Sequence, residues 1–169
     1  MTGQALRFAA TAHDNQWRKF NDEAYINHPI RVARNVLKFK STSNPELLMS
    51  AALLHDVVED TGVALAEIAS KFNFNVAAIV EELTSDDHAI AEQGKAEYLA
   101  QKMLGMSDYA LTIKLCDRLD NTSDFDTAPE DFVERYSRET RQIIETLLEN
   151  RDLTSTQLKL VQAIIKNVR

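Results

Sequence analysis

An apolar stretch in the first half of the chain ends abruptly in charged side chains. Residues 51–54 read Ala-Ala-Leu-Leu, and His55 and Asp56 follow directly. Two further carboxylates, Glu59 and Asp60, come within the next four residues. Removing an imidazole and three carboxylates from water is costly unless something compensates, and a divalent cation compensates well. The stretch therefore predicts an apolar helix that ends at a metal site.

The spacing of these four polar residues indicates catalysis. Glu59 lies four residues after His55 and Asp60 four residues after Asp56, so a helix that continues past the pair puts each acid over one ligand. The macrodipole disfavours negative charge at a helix C-terminus, which argues against ordinary helix-end acids. A carboxylate layer above a metal suits hydrolysis by a metal-bound water. Since a lone His-Asp pair is common without metal, this hypothesis requires further ligands elsewhere.

Two other stretches supply candidate ligands. His28 precedes Pro29, and proline is well tolerated in the first turn of a helix, which places His28 at a helix entrance. Asp117 interrupts a largely apolar stretch. Helical spacing puts four polar side chains of that stretch on one side: Lys114, Asp117, Arg118 and Asn121. Two imidazoles and two carboxylates suit Mn²⁺, Fe²⁺, Co²⁺ or Zn²⁺; the alternative is a hydrogen-bonded structural cluster.

The periodicity of the chain is helical almost throughout. There are only four glycines and three prolines in 169 residues, and alternating strand patterns are essentially missing. The pattern predicts helices at 3–14, 28–40, 44–57, 64–71, 74–83, 92–104, 108–121, 129–150 and 155–167. Capping boxes are predicted at Thr127 and Thr154. We expect an all-α helical bundle, one domain spanning residues 1–169 around a central metal site.

Composition narrows the class of partner. Acidic residues outnumber basic ones by 26 to 19, for a net charge of −7. General binding to nucleic acid needs a basic surface, whereas a small polyphosphate needs only a local cluster of cations. No run approaches the ~20 apolar residues of a membrane span, and the first residues lack the features of a signal peptide. We expect a soluble cytoplasmic protein without nucleic-acid or membrane partners, and leave open whether it forms a homo-oligomer.

The ordered ligand set resembles that of a known family. His28, then His55-Asp56, then Asp117 form the H…HD…D pattern of the HD-domain metal-dependent phosphohydrolases. The stretches 12–19, 25–29, 54–61 and 114–121 are similar to the hydrolase half of the RelA/SpoT proteins. With no synthetase half attached, the resemblance is closest to the small alarmone hydrolases, the group that includes the metazoan SpoT homolog. It runs from about Ala5 to Asp124.

The resemblance implies an activity and a role for each residue. The activity is Mn²⁺-dependent removal of the 3′-pyrophosphate from guanosine tetra- or pentaphosphate, which gives GDP or GTP and pyrophosphate. The implied metal ligands are His28, His55, Asp56 and Asp117. Glu59 and Asp60 would position and activate the attacking water. The implied substrate contacts are Arg18 on the base, Lys19 near phosphate, Asn121 on sugar or phosphate, Tyr136 near the nucleotide, and Lys114 on phosphate.

Several alternatives stay open at this point. Arg18 and Lys19 also fit solvated cations at a helix end, Tyr136 also fits a core position, and Lys114 also fits a partner of nearby acids. The same site suits adenosine polyphosphates or the 2′-phosphate of NADPH, and a general HD nucleotidase or a nucleotide-sensing module without activity is further away. The loop 19–24 lacks the glycine usual in the resembled family. Asn21 or Asp22 can tolerate a left-handed turn, so we expect altered loop geometry rather than lost function.

Overall fold

The computed structural model describes residues 1–40 and 42–168, and in these residues every regular element is a helix. The predicted all-α class is therefore confirmed. The chain divides into two compact units, Met1–Thr84 and Ser85–Arg169. The prediction of a single domain stays a prediction. Among the described residues, no helix has both the length and the apolar character needed to cross a membrane.

The first unit is built from helices that gather around one apolar segment. They are α1 Thr2–Ala12, α2 Asn27–Phe39, α3 Pro45–Leu54, α4 Val57–Asp60, α5 Leu65–Lys71 and α6 Phe74–Leu83. Helices α1, α2 and α6 all pack on α3, and α5 packs on α6. Residues 50–55 of the α3 segment are buried without interruption because neighbours cover it on several sides. A helix that is apolar all round is one buried in a core.

Burial of α3 stabilises the helix end from which His55 and Asp56 follow. Leu48 and Leu54 have no exposed surface, and full burial of one leucine side chain stabilises the fold by about 1.5–3 kcal/mol. Pro45 lies in the first turn of α3, where its missing N–H costs no hydrogen bond. The residues that follow Leu54 are therefore presented from a rigid helix end.

The second unit contains the remaining described helices. They are α7 Asp87–Gln93, α8 Lys95–Gly105, α9 Asp108–Ser123, a 3₁₀ turn Phe125–Thr127, α10 Glu130–Asn150 and α11 Ser155–Asn167. Helix α8 packs on α7 and α10, and α9 packs on α11. Residues 110–120 of α9 are buried at every position, including its charged ones. A charged side chain in such a helix needs a specific partner.

Two predicted helices are interrupted. The helix expected at 44–57 ends at Leu54, and a separate single turn begins at Val57. The helix expected at 92–104 begins only at Lys95, and α7, which the sequence pattern did not predict, precedes it. Gly94 separates the two with a φ of 84°, a conformation open to glycine. The Asp86 side chain starts α7 by accepting the backbone N–H groups of His88 and Ala89.

One predicted cap is present and one is absent. Thr154 and Gln157 form the expected reciprocal capping box at the start of α11. The box expected at Thr127 was wrong: Thr127 ends the 3₁₀ turn, and Pro129 occupies the cap position of α10 without a side-chain hydrogen bond. A proline side chain has no acceptor for the free N–H groups of that helix end.

Candidate active site

At the interruption between α3 and α4, two side chains adjacent in the sequence approach each other closely. His55 is the C-cap of α3 and Asp56 is the N-cap of α4. Consecutive side chains on a continuous helix diverge by about 100°, but here Nε2 of His55 lies 3.0 Å from Oδ2 of Asp56. His55 is 1% exposed, whereas the Asp56 side chain is only partly buried. One ligand therefore sits in the core and the other reaches its edge.

A second imidazole completes the cluster from α2. His28 lies one residue before Pro29 in the first turn of that helix and is 1% exposed. Its Nε2 lies 3.5 Å from the same Oδ2 atom of Asp56. The ligand atoms of His28, His55 and Asp56 all lie within 4.8 Å of one another. Among the described residues, no other group of three or more histidine, cysteine or acidic side chains comes so close together.

The protonation of His55 makes this cluster fit a cation. Nδ1 of His55 lies 2.8 Å from the carbonyl oxygen of Ala52. A carbonyl only accepts, so Nδ1 carries a proton, and in the neutral ring Nε2 is then the nitrogen with the lone pair. Nε2 faces a carboxylate oxygen at 3.0 Å, an arrangement that suits a shared cation. An imidazole oriented through its other nitrogen by a carbonyl is the usual metal-ligating histidine.

A tyrosine that the sequence pattern did not single out joins two of the carboxylates. The Tyr25 hydroxyl donates to Oδ2 of Asp56 at 2.7 Å and lies 3.1 Å from Oδ2 of Asp60. Desolvation first, and then the charge of Asp56, raise the pKa of the Asp60 carboxyl, while the Tyr25 hydrogen bond lowers it. The only sequence signal for Tyr25 is its position three residues before His28, one helical turn away.

Two further side chains, Gln16 and His13, contact Asp60 and Tyr25. Nε2 of Gln16 donates to the backbone oxygen of Asp60 at 3.1 Å, and its Oε1 lies 2.7 Å from Nδ1 of His13. His13 is 3% exposed, and its ring centroid lies 4.8 Å from that of Tyr25. The sequence pattern gave neither Gln16 nor His13 a role, because both act on residues distant along the chain.

The predicted catalytic acids lie in α4. The predicted substrate contacts Arg18 and Lys19 lie in the loop before α2. Glu59 and Asp60 are exposed and belong to the single turn of α4 rather than to the end of a long helix. The guanidinium of Arg18 lies 6.0 Å from the centroid of the Tyr25 ring. Lys19 is exposed, with its ammonium 5.3 Å from the Phe20 ring centroid. The first unit thus brings Arg18 to the tyrosine that contacts Asp56.

The loop that carries Arg18 closes without glycine. Trp17 pairs with Ala24 in an isolated antiparallel bridge, and the Arg18 N–H donates to the Glu23 oxygen at 2.8 Å. The side chain of Asn21 accepts the N–H of Glu23. Neither Asn21 nor Asp22 uses the left-handed conformation that it could tolerate; among the described non-glycine residues Asn15 has it, with φ 61°.

In the second unit, Asp117 is the centre of a buried polar cluster on α9. Its Oδ2 lies 3.1 Å from the ammonium of Lys114, and its Oδ1 accepts from Asn121 at 2.6 Å. Asp117 is 7% exposed and Lys114 8% exposed. Three of the four side chains predicted to share one side of this helix therefore interact around Asp117. A buried carboxylate with both oxygens engaged is held in one orientation.

Tyr136 lies beside this cluster on α10. The guanidinium of Arg118 lies 5.0 Å from the ring centroid, and Phe132 stacks on the ring at 5.6 Å. Arg118 also donates to the hydroxyl of Thr140 at 2.8 Å. Burial raises the pKa of the Tyr136 hydroxyl, and the charge of Arg118 acts in the opposite direction by lowering this pKa. Four predicted residues of the second unit, Lys114, Asp117, Asn121 and Tyr136, thus interact within it.

Comparison with known proteins identifies the same kind of domain. A model of the family described as HD domain matches residues 5–153. The chain is 36% identical over 122 residues to the Drosophila melanogaster guanosine-3′,5′-bis(diphosphate) 3′-pyrophosphohydrolase MESH1, covering 72% of this chain and 67% of that protein. To the Homo sapiens protein of the same name it is 36% identical over 138 residues, covering 80% and 76%.

A solved structure is similar in fold over nearly the whole chain. It is described as a metazoan ortholog of SpoT that hydrolyzes ppGpp and plays a role in starvation responses. The TM-score is 0.82 at 27% sequence identity, and the superposition covers 98% of this chain and 94% of the other.

Proposed function

This chain belongs to the HD-domain family, and from that premise we propose that it is a metal-dependent pyrophosphohydrolase of guanosine tetra- and pentaphosphate. It removes the 3′-pyrophosphate as an intact group and leaves GDP or GTP. The relatives at 36% identity carry the name of this activity, which supports the assignment of substrate class. The metal proposed is Mn²⁺.

One observation of this chain carries the proposal. His28, His55 and Asp56 converge within 4.8 Å, and the Ala52 carbonyl fixes the tautomer of His55 so that Nε2 is available as a ligand. Two buried imidazoles and one carboxylate are a ligand set for a borderline divalent ion. Asp117 is proposed as the fourth ligand on the sequence pattern.

The three clustered residues have different roles toward that ion. A bound divalent ion polarises a phosphoryl oxygen and lowers the pKa of coordinated water. His28 and His55 would hold the ion through their ring nitrogens, and Asp56 would contribute charge from the partly exposed edge of the cluster. Their burial keeps bulk water away from two of the three donors, which strengthens electrostatic contacts at the reacting phosphorus.

Glu59 and Asp60 are proposed as the acid and base groups. Both are exposed carboxylates on the single turn that follows the ligand pair, so both are accessible to substrate and to water. Glu59 is the stronger candidate to accept a proton from the attacking water, since Asp60 is engaged by Tyr25. Asp60 then orients the same water or protonates the leaving group.

The nucleotide contacts are proposed on the sequence pattern. Arg18 presents a planar guanidinium that stacks on a purine, and Lys19 offers an exposed charge for phosphate. Asn121, Lys114 and Tyr136 are proposed to bind the sugar and the remaining phosphates. Lys114 would do so while paired with Asp117, so its charge is oriented before substrate binds. A stacking arginine accepts guanine or adenine, so adenosine polyphosphates are proposed as a secondary substrate.

A substrate panel tests this function. Purified chain loaded with Mn²⁺ is offered guanosine tetraphosphate, its adenosine counterpart, NADPH and a deoxynucleoside monophosphate, and products are separated by chromatography. The expected result is intact pyrophosphate from the first substrate, with lower or equal activity on the second. Orthophosphate from NADPH or from the monophosphate, without pyrophosphate from the first, would contradict the proposal. A chain with Asp56→Ala serves as the matched control for contaminating phosphatases.

A further inference from the structure

The Tyr25 hydroxyl contacts the one carboxylate oxygen on which the metal cluster converges. Oδ2 of Asp56 accepts its hydrogen bond at 2.7 Å. The same Oδ2 lies 3.0 Å from Nε2 of His55 and 3.5 Å from Nε2 of His28. The χ2 torsion of an aspartate is broad and roughly two-fold, so an unrestrained carboxylate would offer either oxygen. The hydroxyl therefore selects which oxygen faces the two imidazoles.

The tyrosine ring is itself held on several sides. Its centroid lies 4.8 Å from the His13 ring and 5.7 Å from the His28 ring. Its backbone is fixed at the entrance to α2, because the Tyr25 N–H donates to the Gln16 oxygen and its oxygen accepts the His28 N–H, each at 2.9 Å. A hydroxyl on so constrained a ring has little freedom to leave Asp56.

The same hydroxyl reaches the candidate catalytic acid. It lies 3.1 Å from Oδ2 of Asp60, and Gln16 holds the backbone of Asp60 from the side of His13. The single proton of the hydroxyl is shared between two carboxylates that would otherwise repel each other across a short gap. Tyr25 thus ties a ligand residue and a catalytic residue into one arrangement.

We propose that Tyr25 is a positioning residue of the metal site, whose hydroxyl orients the Asp56 carboxylate for metal binding and holds Asp60 beside it. The metal-binding part stands on the geometry of the cluster alone. The catalytic part rests on the proposed function. Outer hydrogen-bonding partners of metal ligands typically account for about 10–100-fold in metal affinity or activity.

The test compares Tyr25→Phe with wild-type chain. Phenylalanine keeps the ring packing on His13 and His28 and removes only the hydroxyl. Tyr98→Phe is the matched control, because it removes a hydroxyl that accepts the Asp86 N–H in the second unit. Three quantities are measured on the full chain: Mn²⁺ affinity by calorimetric titration, thermal unfolding with chelator present, and kcat and KM for guanosine tetraphosphate at saturating Mn²⁺.

The expected result for Tyr25→Phe is an Mn²⁺ affinity about 10-fold weaker, a lower kcat with unchanged KM, and an unfolding temperature in chelator equal to that of wild type. The Tyr98→Phe control keeps wild-type Mn²⁺ affinity. An affinity of Tyr25→Phe equal to wild type overturns the proposal, as does a loss that appears only together with a lower unfolding temperature in chelator. Wild-type chain that binds Mn²⁺ but releases no pyrophosphate would refute the proposed function, while the affinity comparison still decides the role of Tyr25.

Discussion

Nε2 of His55 lies 3.0 Å from Oδ2 of its chain neighbour Asp56, across a break between two helices. On an unbroken helix these side chains would point in directions about 100° apart. The break lets α3 bury its leucines up to the last residue while the next two side chains converge on one point. The burial of α3 up to its end and the convergence of His55 and Asp56 therefore depend on the same interruption.

Asp117 provides the first test of the ligand set. We expect Asp117→Asn to lose Mn²⁺ after dialysis while the chain stays folded. Asparagine keeps the shape of the side chain and its contact with Asn121, but a neutral amide is a poorer ligand for a divalent ion than a carboxylate. Elemental analysis measures the metal, and the exposed Asp126→Asn is the control. Undiminished metal in Asp117→Asn would remove Asp117 from the ligands and leave His28, His55 and Asp56.

Glu59 is expected to affect turnover without affecting metal. It is exposed on α4 and lies outside the cluster of His28, His55 and Asp56. Glu59→Gln keeps the shape and removes the proton-accepting charge, so we predict retained Mn²⁺ and a kcat lower by roughly 10²-fold, as for loss of an acid–base group. The control is Glu67→Gln, which removes a surface charge paired with Lys71 on α5. A near-normal kcat would exclude Glu59 from the proton transfer.

The sequence predicts features set by residues close together in the chain better than contacts between residues far apart in it. His28, His55 and Asp56 were identified because each stands in a short motif at a helix end. Tyr25 was missed because its partners lie 31 and 35 positions away along the chain. No helical or strand periodicity relates residues so far apart, and only the packing of α2 on α3 brings them together.

The errors in helix boundaries have local causes. The continuous helix predicted through His55 and Asp56 was wrong because apolar periodicity does not register a two-residue break when polar residues follow. The helix predicted from 92 was wrong because Gly94 adopts φ 84°, and a glycine inside a helical pattern is compatible with either continuation or a stop. Thr154 was predicted correctly, since its capping partner Gln157 is only three residues away.

Arg151 is expected to be a main stabilising contact of the second unit. Its Nη1 donates to the carbonyl oxygens of Met103, Leu104 and Met106, and its Nη2 lies 3.2 Å from Oδ1 of Asp108. These carbonyls end α8, where no intrahelical donors remain. An ammonium cannot reach all of them, so we predict that Arg151→Lys lowers the free energy of unfolding by about 1–3 kcal/mol.

Urea denaturation followed by circular dichroism measures the effect of Arg151→Lys. The matched control is Arg138→Lys, which changes an exposed arginine on α10 and should leave the midpoint unchanged. Equal midpoints for Arg151→Lys and wild type would show that water replaces the guanidinium at the end of α8.

Cys116 should be chemically inert in the folded chain. It has no exposed surface, and burial, followed by the charge of Asp117, raises the pKa of its thiol far above the usual value. The thiolate is the reactive form. We predict negligible reaction with Ellman's reagent under native conditions and complete reaction in denaturant. Since the chain has one cysteine, the signal has a single source, and rapid native labelling would contradict the buried placement of α9.

Arg18 is expected to affect substrate binding more than the chemical step. Its guanidinium lies 6.0 Å from the Tyr25 ring centroid, and the bridge between Trp17 and Ala24 holds the loop around it. A purine that stacks on this guanidinium makes the same contact before and during the reaction, because the base is remote from the bond that breaks. Such uniform binding changes KM and leaves kcat unchanged.

Arg18→Lys keeps the charge and removes the plane, so the variant isolates stacking from electrostatic attraction. We predict a KM for guanosine tetraphosphate roughly 10-fold higher, equivalent to about 1.4 kcal/mol, with kcat within a factor of about two. Initial rates at varied substrate and saturating Mn²⁺ measure both constants, and Arg34→Lys on the exposed side of α2 is the control. A lower kcat at unchanged KM would place Arg18 at the reacting phosphate instead of the base. Unchanged values of both would make Arg18 a solvated cation that does not contact the purine.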